Sequence, residues 1–264
     1  MNKTKLKLSI ITVTLNNKDG LKKTLDSIQN QIFKDYEVIV IDGKSTDGTI
    51  DYLKKFSDIF YLSEKDSGIY NAMNKGISYA KGEYINFLNS GDSYFSESTL
   101  LNIFNMNPSE DLLYGDAIIS GVENKIKTIK PLDLLFLRDD TICHQSQFIK
   151  TDLIKKYNGF NEKFRIGADH DLLVRLVVKH NHNFQYFPIP IVIYDDTGFS
   201  STHQSGIQLQ NERIQSYIDN YSELQKNTLK IIENYEEEKK IHFLKNPFYH
   251  LLLRYFRLIK SKIA

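Results

Sequence analysis

The stretch that decides the fold is Tyr84-Ile85-Asn86-Phe87-Leu88-Asn89-Ser90-Gly91-Asp92, an apolar run of the β type that ends abruptly in a polar turn. In α/β proteins, ligands bind beyond the carboxyl ends of the strands. A carboxylate there can hold a hard divalent cation, which in turn holds a diphosphate. Gly91 lets the backbone turn tightly or lie close to a ligand. The same residues also suit an ordinary Asx/Gly turn, so this stretch alone leaves both interpretations open.

The composition indicates one sizeable α/β domain, or a domain with an appendage, because the chain has 264 residues of which 41% are hydrophobic. The net charge of +1 does not favour nucleic acid as a partner. The single cysteine, Cys143, excludes an intramolecular disulfide and fits a reducing compartment. The apolar run 8–15 is short and broken by hydroxyls, so it is interpreted as a buried first strand and not as a signal peptide. No segment is long and apolar enough to span a bilayer, and we expect a cytoplasmic protein.

Strand-like and helix-like segments alternate through the first part of the chain, which predicts a parallel sheet with right-handed crossovers. The predicted strands are 8–15, 36–42, 59–63 and 84–88, and the predicted helices are 20–30, 49–56 and 67–79. Chain order alone does not fix the order of the strands.

Beyond Asp92 the pattern changes, and we expect a mixed sheet. Further strands are predicted at 112–119, 125–130, 141–149, 184–187 and 189–194, with helices at 96–104 and from Asp169 onward. Residues 207–240 are polar with a helical pattern, which predicts a core domain over 1–205 and a C-terminal helical extension over 206–264.

Polar residues follow several predicted strands and are expected to face one crevice. They lie at 14–17, 42–47 and 89–92, and Asp66 and Gly68 follow the third strand shortly before the next helix. Asp42 is placed to accept a hydrogen bond from a base or a ribose, and a cap or turn role fits it equally well. No G-x-G-x-x-G or P-loop motif is present, so a nucleotide here would be held mainly by carboxylates and a metal.

Four segments of the chain resemble the family 2 glycosyltransferases in order and spacing: 9–16, 37–49, 64–76 and 82–92. The resemblance covers roughly residues 5–205. It implies the GT-A architecture, a Rossmann-like mixed α/β sheet flanked by helices, and a hexosyltransferase that inverts the anomeric carbon. The implied donor is a nucleotide-diphospho-sugar, with UDP favoured by family habit, and the acceptor is a glycan or a lipid-linked sugar. The chain looks most similar to the colanic-acid type branch, which builds bacterial surface polysaccharides.

The resemblance assigns donor binding to these positions: Thr14, Asn16, Asp42, Asp66, Asn74, Ser90 and Gly91. Thr14 and Asn16 match positions that line the nucleotide. Asp42 matches the carboxylate that contacts the base, and Asp66 matches the one near the ribose.

The resemblance also implies a Mg²⁺ or Mn²⁺ ion between the donor phosphates, with Asp92 matching the last carboxylate of the metal motif. The sequence departs from the family here, because Asn89 and Gly91 stand where aspartates are usual and Gly43 replaces a second acid after Asp42. We therefore expect weaker metal affinity. His203, at the end of a predicted mobile loop over 195–203, matches a region where several family members supply a metal-binding histidine.

The predicted catalytic base is Asp169, which lies where an apolar helical face begins. A hydroxyl that attacks an anomeric carbon must lose its proton, and a carboxylate within hydrogen-bond reach can take it. The family's Glu-Asp motif maps onto Ala168 and Asp169. Helix capping is the alternative role for Asp169, Asp171 is the second candidate base, and Arg175 is expected to pair with one of these acids.

His144 and Gln145 are candidate ligands of an acceptor sugar, although a histidine at a strand entry is more often structural. Cys143 beside them lacks an activating arrangement and is expected to be an inert thiol.

The last segment, 248–262, has the pattern of a basic amphipathic helix in which His250, Arg254 and Arg257 share one face. This pattern suits a helix that lies in an anionic membrane surface, which predicts peripheral attachment at the cytoplasmic face. Packing on the core domain or on a second subunit is the alternative. The sequence leaves the oligomeric state open.

Two other functions fit the same fold. A sugar-nucleotide nucleotidyltransferase would need a Gly- and Lys/Arg-rich loop after the first strand, and residues 16–20 are a poor version of one. A catalytically degenerate, membrane-associated sugar-nucleotide binder is the other alternative, suggested by the reduced metal motif.

Overall fold

The computed structural model describes residues 6–120, 125–127, 132–195 and 203–245. The strands are β1 (Leu8–Thr14), β2 (Tyr36–Asp42), β3 (Ile59–Ser63), β4 (Tyr84–Phe87), β5 (Ser93–Tyr94), β6 (Leu112–Ser120), β7 (Lys125–Lys127), β8 (Gln147–Lys150) and β9 (Phe184–Asp195). The helices are α1 (Lys18–Gln29), α2 (Thr49–Leu53), α3 (Ile69–Tyr79), α4 (Thr99–Phe104), α5 (Leu134–Asp139), α6 (Thr151–Lys156), α7 (Ala168–Val174), α8 (His203–Asn220) and α9 (Glu223–Lys245). A 3₁₀ turn covers His144–Ser146, and a π-helical turn, Arg175–Lys179, continues α7.

The described strands form one mixed sheet in the order β3-β2-β1-β4-β8-β6-β9-β5, with β7 paired to β6. Strands β3, β2, β1 and β4 run parallel, which confirms the predicted parallel first half. Strand β8 is antiparallel to β4, which confirms a mixed second half. In the register, Thr14 pairs with Asp42 and Asp42 pairs with Ser63, so the carboxyl ends of three strands lie at one edge of the sheet.

The core forms because apolar residues cover both faces of the central strands. Every residue of β1 is buried, and the face of α1 that carries Leu21, Leu25 and Ile28 packs into the same core. A fully buried leucine or isoleucine of this kind stabilises the fold by roughly 1.5–3 kcal/mol. Helix α3 lies close to the sheet, because a Cβ atom at Gly76 would come within 2.5 Å of Cγ2 of Ile11.

The strand predicted at 141–149 begins later than expected. Residues His144–Ser146 form the 3₁₀ turn, and the strand starts only at Gln147. The buried amide of Asn86 fixes this turn, since its Nδ2 donates at 2.8 Å to the carbonyl oxygens of both Gln145 and Gln147. An apolar run in the sequence carries no sign of such a long-range contact.

The two strands predicted at 184–187 and 189–194 are one strand, β9. Its pairing with β6 shifts register beside Gly115 and Asp116, and this bulge accommodates the prolines at 188 and 190. The predicted helix at 207–240 is instead two helices, because α8 ends at Asn220 and α9 begins at Glu223.

The chain divides into two compact units, residues 1–220 and 221–264. Helix α8, the first part of the predicted extension, belongs to the first unit. The reason is Glu212, whose carboxylate accepts the backbone N–H groups of Arg165, Ile166 and Gly167 at 2.7–3.0 Å. The second unit contains α9, and the predicted amphipathic segment 248–262 lies outside the described residues.

Among the described residues, no helix combines the length and the apolar character that crossing a bilayer requires.

Candidate active site

Side chains of helix α1 form hydrogen bonds with the backbone of the turn that follows β4. Gly91 has a φ of +108°, a conformation that disfavours any side chain, and its N–H donates to Thr24 Oγ1 at 3.0 Å. The same hydroxyl donates to the carbonyl oxygen of Asp92 at 2.7 Å, and Lys23 Nζ donates to the carbonyl oxygen of Gly91. These contacts fix the direction in which the Asp92 side chain leaves the turn.

The Asp92 carboxylate is almost buried and meets the side chain of Gln145. Gln145 Nε2 donates to Asp92 Oδ2 at 3.0 Å, and Gln145 Oε1 faces the thiol of Cys143. Gln145 therefore contacts the predicted metal ligand itself.

His144 connects the same turn to the predicted base. Its Nδ1 lies 3.3 Å from Oδ2 of Asp169, and its Nε2 lies 3.1 Å from Nδ2 of Asn89. With the Asn89 amide nitrogen facing Nε2, Nδ1 is the ring nitrogen whose hydrogen points at the Asp169 carboxylate.

Asp169 lies in the first turn of α7 with 17% of its side chain exposed. Its Oδ1 accepts the N–H of His170 at 2.8 Å and lies 3.3 Å from the hydroxyl of Tyr70, which donates to the carbonyl oxygen of Ile166. Burial acts to raise the pKa of Asp169, but the hydrogen bond and charge of His144, with the His170 N–H, outweigh it. The pKa of Asp169 is thus lower than usual, and the carboxylate is ionised at neutral pH.

The two predicted functional acids are therefore brought to one edge of the sheet. Asp92 contacts Gln145 and Asp169 contacts His144, and these two partners are consecutive in the 3₁₀ turn. The site combines a fixed carboxylate at the end of β4 with a second, ionised carboxylate at the start of α7.

Residues predicted to bind the nucleotide form hydrogen bonds within and between the loops that follow β1 and β2. Asp42 is fully buried and accepts Ser63 Oγ at 2.6 Å and the N–H of Ser45 at 3.0 Å, so it caps the turn that follows it. Asn16 Oδ1 accepts the N–H of Thr46 at 2.9 Å. Thr14 Oγ1 is buried, and no hydrogen-bond partner accompanies it among the described residues.

The position of Asp66 explains why Gly43 follows Asp42. A Cβ atom at Gly43 would lie 2.7 Å from Asp66 Oδ2, so the Asp66 carboxylate occupies the space that a side chain there would need. Asp66 Oδ1 accepts the N–H of Gly68 at 3.0 Å.

Asn74 is engaged in structural contacts. Its Nδ2 donates to the carbonyl oxygen of Phe160 and to Glu162 Oε1, both at 2.9 Å, and its Oδ1 accepts the Phe160 N–H. These contacts tie α3 to the segment before α7, and the role of Asn74 in donor binding stays a prediction. Asn17 Nδ2 donates to the carbonyl oxygen and the hydroxyl oxygen of Ser90. The Ser90 N–H donates to the carbonyl oxygen of Val13.

Asp171 of α7 is buried and forms a structural ion pair with Arg175, the first residue of the π-helical turn. Arg175 Nε donates to Asp171 Oδ2 at 2.8 Å, and the other carboxylate oxygen accepts Ser216 Oγ and Asn220 Nδ2. The predicted ion pair of Arg175 is present, and these three contacts explain the burial of Asp171.

Sequence reasoning missed Thr24, Tyr70 and Glu212. Thr24 did carry a signal, because it is the polar residue on the otherwise apolar buried face of α1. Tyr70 and Glu212 reach their partners over long sequence separations, and nothing local in the sequence indicates these contacts.

The residues of the turn fit a metal that takes most of its ligands from a substrate. No group of three His, Cys, Asp or Glu side chains able to hold a metal occurs in the described part of the chain. Mg²⁺ needs only one or two protein carboxylates when phosphates and waters supply the rest. Asp92 provides one, and Oδ1 of Asn89 is a buried oxygen without a hydrogen-bond partner among the described groups. His203 begins α8, but its side chain and residues 196–202 lie outside the described part of the chain.

The mixed sheet, with its parallel half and flanking helices, has the GT-A-like fold. Solved structures support this fold class. The TarS 1–349 fragment of S. aureus in complex with UDP-GlcNAc superposes with a TM-score of 0.64, at 17% identity, over 81% of this chain and 73% of that chain. The mannosyltransferase PcManGT from Pyrobaculum calidifontis, in complex with GDP-Man and Mn²⁺, gives 0.61 at 18% identity, over 82% and 64%. At these identities the likeness concerns the fold.

Comparison with sequence relatives identifies the family of this chain. Residues 9–128 match the model of glycosyl transferase family 2. A PGL/p-HBAD biosynthesis glycosyltransferase of Mycobacterium bovis is 32% identical over 199 residues, which are 72% of this chain and 77% of that protein. A cholesterol galactosyltransferase of Borreliella burgdorferi is 29% identical over 226 residues, 82% of this chain and 59% of that protein. The chain belongs to glycosyltransferase family 2, which confirms the predicted family, whereas the colanic-acid type branch stays a prediction.

Proposed function

We propose that this glycosyltransferase moves a sugar from a nucleotide-diphospho-sugar, with UDP as the favoured nucleotide, to a hydroxyl of a glycan or lipid-linked acceptor in surface polysaccharide synthesis. The anomeric carbon is inverted. The observation that carries the proposal is that consecutive residues, His144 and Gln145, hold the two acids Asp169 and Asp92.

Asp92 and Asn89 serve the donor half of the reaction. They would hold a Mg²⁺ or Mn²⁺ ion, which when bound supplies positive charge for the leaving diphosphate. Two solved neighbours support this half, since TarS is described with UDP-GlcNAc and PcManGT with GDP-Man and Mn²⁺. The loops with Asn16, Asp42 and Asp66 lie at the same sheet edge and receive the nucleoside.

Asp169 serves the acceptor half. Its carboxylate accepts the proton of the acceptor hydroxyl while that oxygen forms a bond to the anomeric carbon. The bond from the anomeric carbon to the diphosphate oxygen breaks on the opposite side, so the configuration inverts and the diphosphate carries away the electron pair. His144 Nδ1–H and the His170 N–H orient the carboxylate, and the lowered pKa of Asp169 keeps it ionised, in the form that can accept a proton.

Segment 248–262 is proposed to attach the enzyme to the cytoplasmic face of a membrane, where a lipid-linked acceptor would lie. Flotation of the full chain with anionic vesicles tests this. Arg254→Ala with Arg257→Ala should reduce the bound fraction, and unchanged binding would count against the membrane role.

A thermal-shift screen of nucleotide sugars, with and without Mn²⁺, tests the donor. Ligand present at 100 times its Kd stabilises a protein by about 2.7 kcal/mol, which a melting curve resolves. We expect a UDP-sugar to raise the melting temperature more in the presence of Mn²⁺. No shift from any nucleotide sugar would contradict the proposal.

The same preparations distinguish the alternatives. Pyrophosphate release from a nucleoside triphosphate and a sugar phosphate would indicate a nucleotidyltransferase. Asn17, in the loop where such an enzyme needs a triphosphate site, instead caps α1 by accepting the N–H of Gly20. Donor binding without hydrolysis or transfer across an acceptor panel would indicate a degenerate binder.

A further inference from the structure

The side chain of Gln145 belongs to a hydrogen-bonded chain that ends on Asp92. Both residues are buried, and Gln145 Nε2 donates at 3.0 Å to Oδ2 of the Asp92 carboxylate. At the other end of the amide, Oε1 accepts from the thiol of Cys143. A donor at one end and an acceptor at the other distinguish the two ends of the amide. The thiol therefore favours the orientation in which the NH₂ group of Gln145 faces the carboxylate.

The backbone of Gln145 is fixed by a second set of buried contacts. Asn86 Nδ2 donates at 2.8 Å to the carbonyl oxygens of Gln145 and Gln147. The hydroxyl of Tyr94 donates at 2.8 Å to Asn86 Oδ1, so the Asn86 amide is itself held at both ends. Gln145 is thus fixed at its backbone and at its amide, and it presents a stationary N–H donor to Asp92.

The other residue proposed to hold the cation, Asn89, contacts the preceding residue of the same 3₁₀ turn. Its Nδ2 lies 3.1 Å from Nε2 of His144, which places Oδ1 at the opposite end of the amide. That oxygen is buried and has no hydrogen-bond partner within the described part of the chain. Two consecutive residues, His144 and Gln145, therefore orient both side chains of the proposed cation site.

The hydrogen bond from Gln145 limits how Asp92 can bind a cation. A cation that takes both oxygens of the carboxylate competes with Gln145 Nε2 for Oδ2, whereas a cation that takes one oxygen leaves this hydrogen bond intact. A hydrogen bond to a charged group corresponds to a factor of about ten or more in an equilibrium constant. Coordination through a single oxygen of Asp92 is therefore favoured.

We propose that Gln145 is a positioning residue that restricts Asp92 to coordination through one oxygen and so makes the site select Mg²⁺ or Mn²⁺ over Ca²⁺. Mg²⁺ requires a compact octahedral shell and uses one or two carboxylates together with phosphates and waters. Ca²⁺ takes a larger oxygen shell and often binds both oxygens of a carboxylate. This inference rests on the proposed function, because it gives Gln145 a role in the donor half of the reaction.

The test follows the melting temperature of the full chain at a fixed concentration of UDP while Mg²⁺ or Ca²⁺ is titrated. The ratio of the half-saturating concentrations, Ca²⁺ to Mg²⁺, reports the selectivity. We expect the wild type to need more Ca²⁺ than Mg²⁺. In Gln145→Met, which keeps a long buried side chain but cannot donate, the ratio should fall by about tenfold. A merely structural role of Gln145 would weaken both cations alike and leave the ratio unchanged.

Gln147→Met is the matched control, because Gln147 is also buried but its Nε2 donates to the carbonyl oxygen of Ile142 and not to an acid. Its ratio should stay at the wild-type value. An unchanged ratio in Gln145→Met, or equal changes in the two variants, would overturn the inference.

The wild type alone also tests the inference, and this measurement does not depend on the folding of any variant. A wild type that needs no more Ca²⁺ than Mg²⁺, or that responds to UDP equally without a cation, would overturn it. Stabilisation by UDP and Mg²⁺ with an unchanged ratio in Gln145→Met would remove only this inference. The absence of any stabilisation by UDP with either cation would remove the proposed function as well.

Discussion

Nδ1 of His144 lies 3.3 Å from Oδ2 of Asp169, and the other nitrogen of the same ring faces the amide of Asn89. A single imidazole thus joins the acid at the start of α7 to the turn after β4. Burial alone would raise the pKa of Asp169, and it is this histidine that reverses the direction.

The first prediction concerns pH. In the wild type, Asp169 stays ionised until the pH falls below the usual carboxyl range, because its folded pKa is lowered. His144→Ala removes the hydrogen bond and the charge but keeps most of the burial, so the pKa of Asp169 should rise. The acidic limb of the pH–rate profile should then move to higher pH. An unmoved limb would show that Asp169 is not the base or is not controlled by His144.

The same pair also contributes to folding. A group with a lowered folded pKa stabilises the protein above its unfolded pKa, and this contribution is lost as the pH falls through the folded value. His144→Ala should therefore lower the free energy of unfolding at neutral pH. It should change that free energy little once the pH is below the folded pKa of Asp169. Urea unfolding at several pH values measures this difference.

The second prediction concerns Thr24, the hydroxyl that holds the turn. Thr24→Val keeps the shape but leaves the Gly91 N–H without its acceptor, which should cost about 1–3 kcal/mol of unfolding free energy. The misdirected Asp92 should also weaken Mn²⁺-dependent donor binding. Thr24→Ser, which retains the hydroxyl, is the control and should restore both properties. Equal behaviour of the two variants would exclude this role of the hydroxyl.

The third prediction distinguishes the roles of Asp169 and Asp171, the two acids of α7. Asp171→Ala leaves the half-buried Arg175 guanidinium without its carboxylate and Ser216 and Asn220 without their acceptor, which should destabilise the fold by about 2–4 kcal/mol. Asp169→Asn should change stability far less while abolishing transfer. Chemical denaturation of both variants measures the difference, and a stable Asp171→Ala chain would contradict the structural role given to this pair.

The fourth prediction concerns the reduced metal motif. Asn89→Asp adds a second carboxylate to the turn that carries Asp92, so the Mn²⁺ concentration for half-maximal stabilisation by a UDP-sugar should fall several-fold. Asp51→Asn, which removes an exposed surface acid, is the control and should leave it unchanged. A rise in the Mn²⁺ requirement of Asn89→Asp would place the metal away from this turn.

The sequence predicted the parts of the fold that local pattern determines. The bounds of β2 and β3 follow directly from apolar runs, and the sequence also predicts Asp92 and Asp169 as site acids. It could not predict contacts between distant segments. Asn86 converts the start of a predicted strand into the turn with His144, and Glu212 fastens α8 to the first unit. It also could not show that Asp66 fills the space beside Gly43.

The central claim is that Asp92 serves the donor and Asp169 serves the acceptor of one transfer reaction. Its most direct test compares UDP release and UDP-sugar-dependent melting shifts in the wild type, Asp92→Asn and Asp169→Asn, all with Mn²⁺. We predict that both variants lose turnover by at least about a hundredfold, and that only Asp92→Asn loses the melting shift. Near-normal UDP release in both variants, or loss of donor binding in Asp169→Asn alone, would contradict the account.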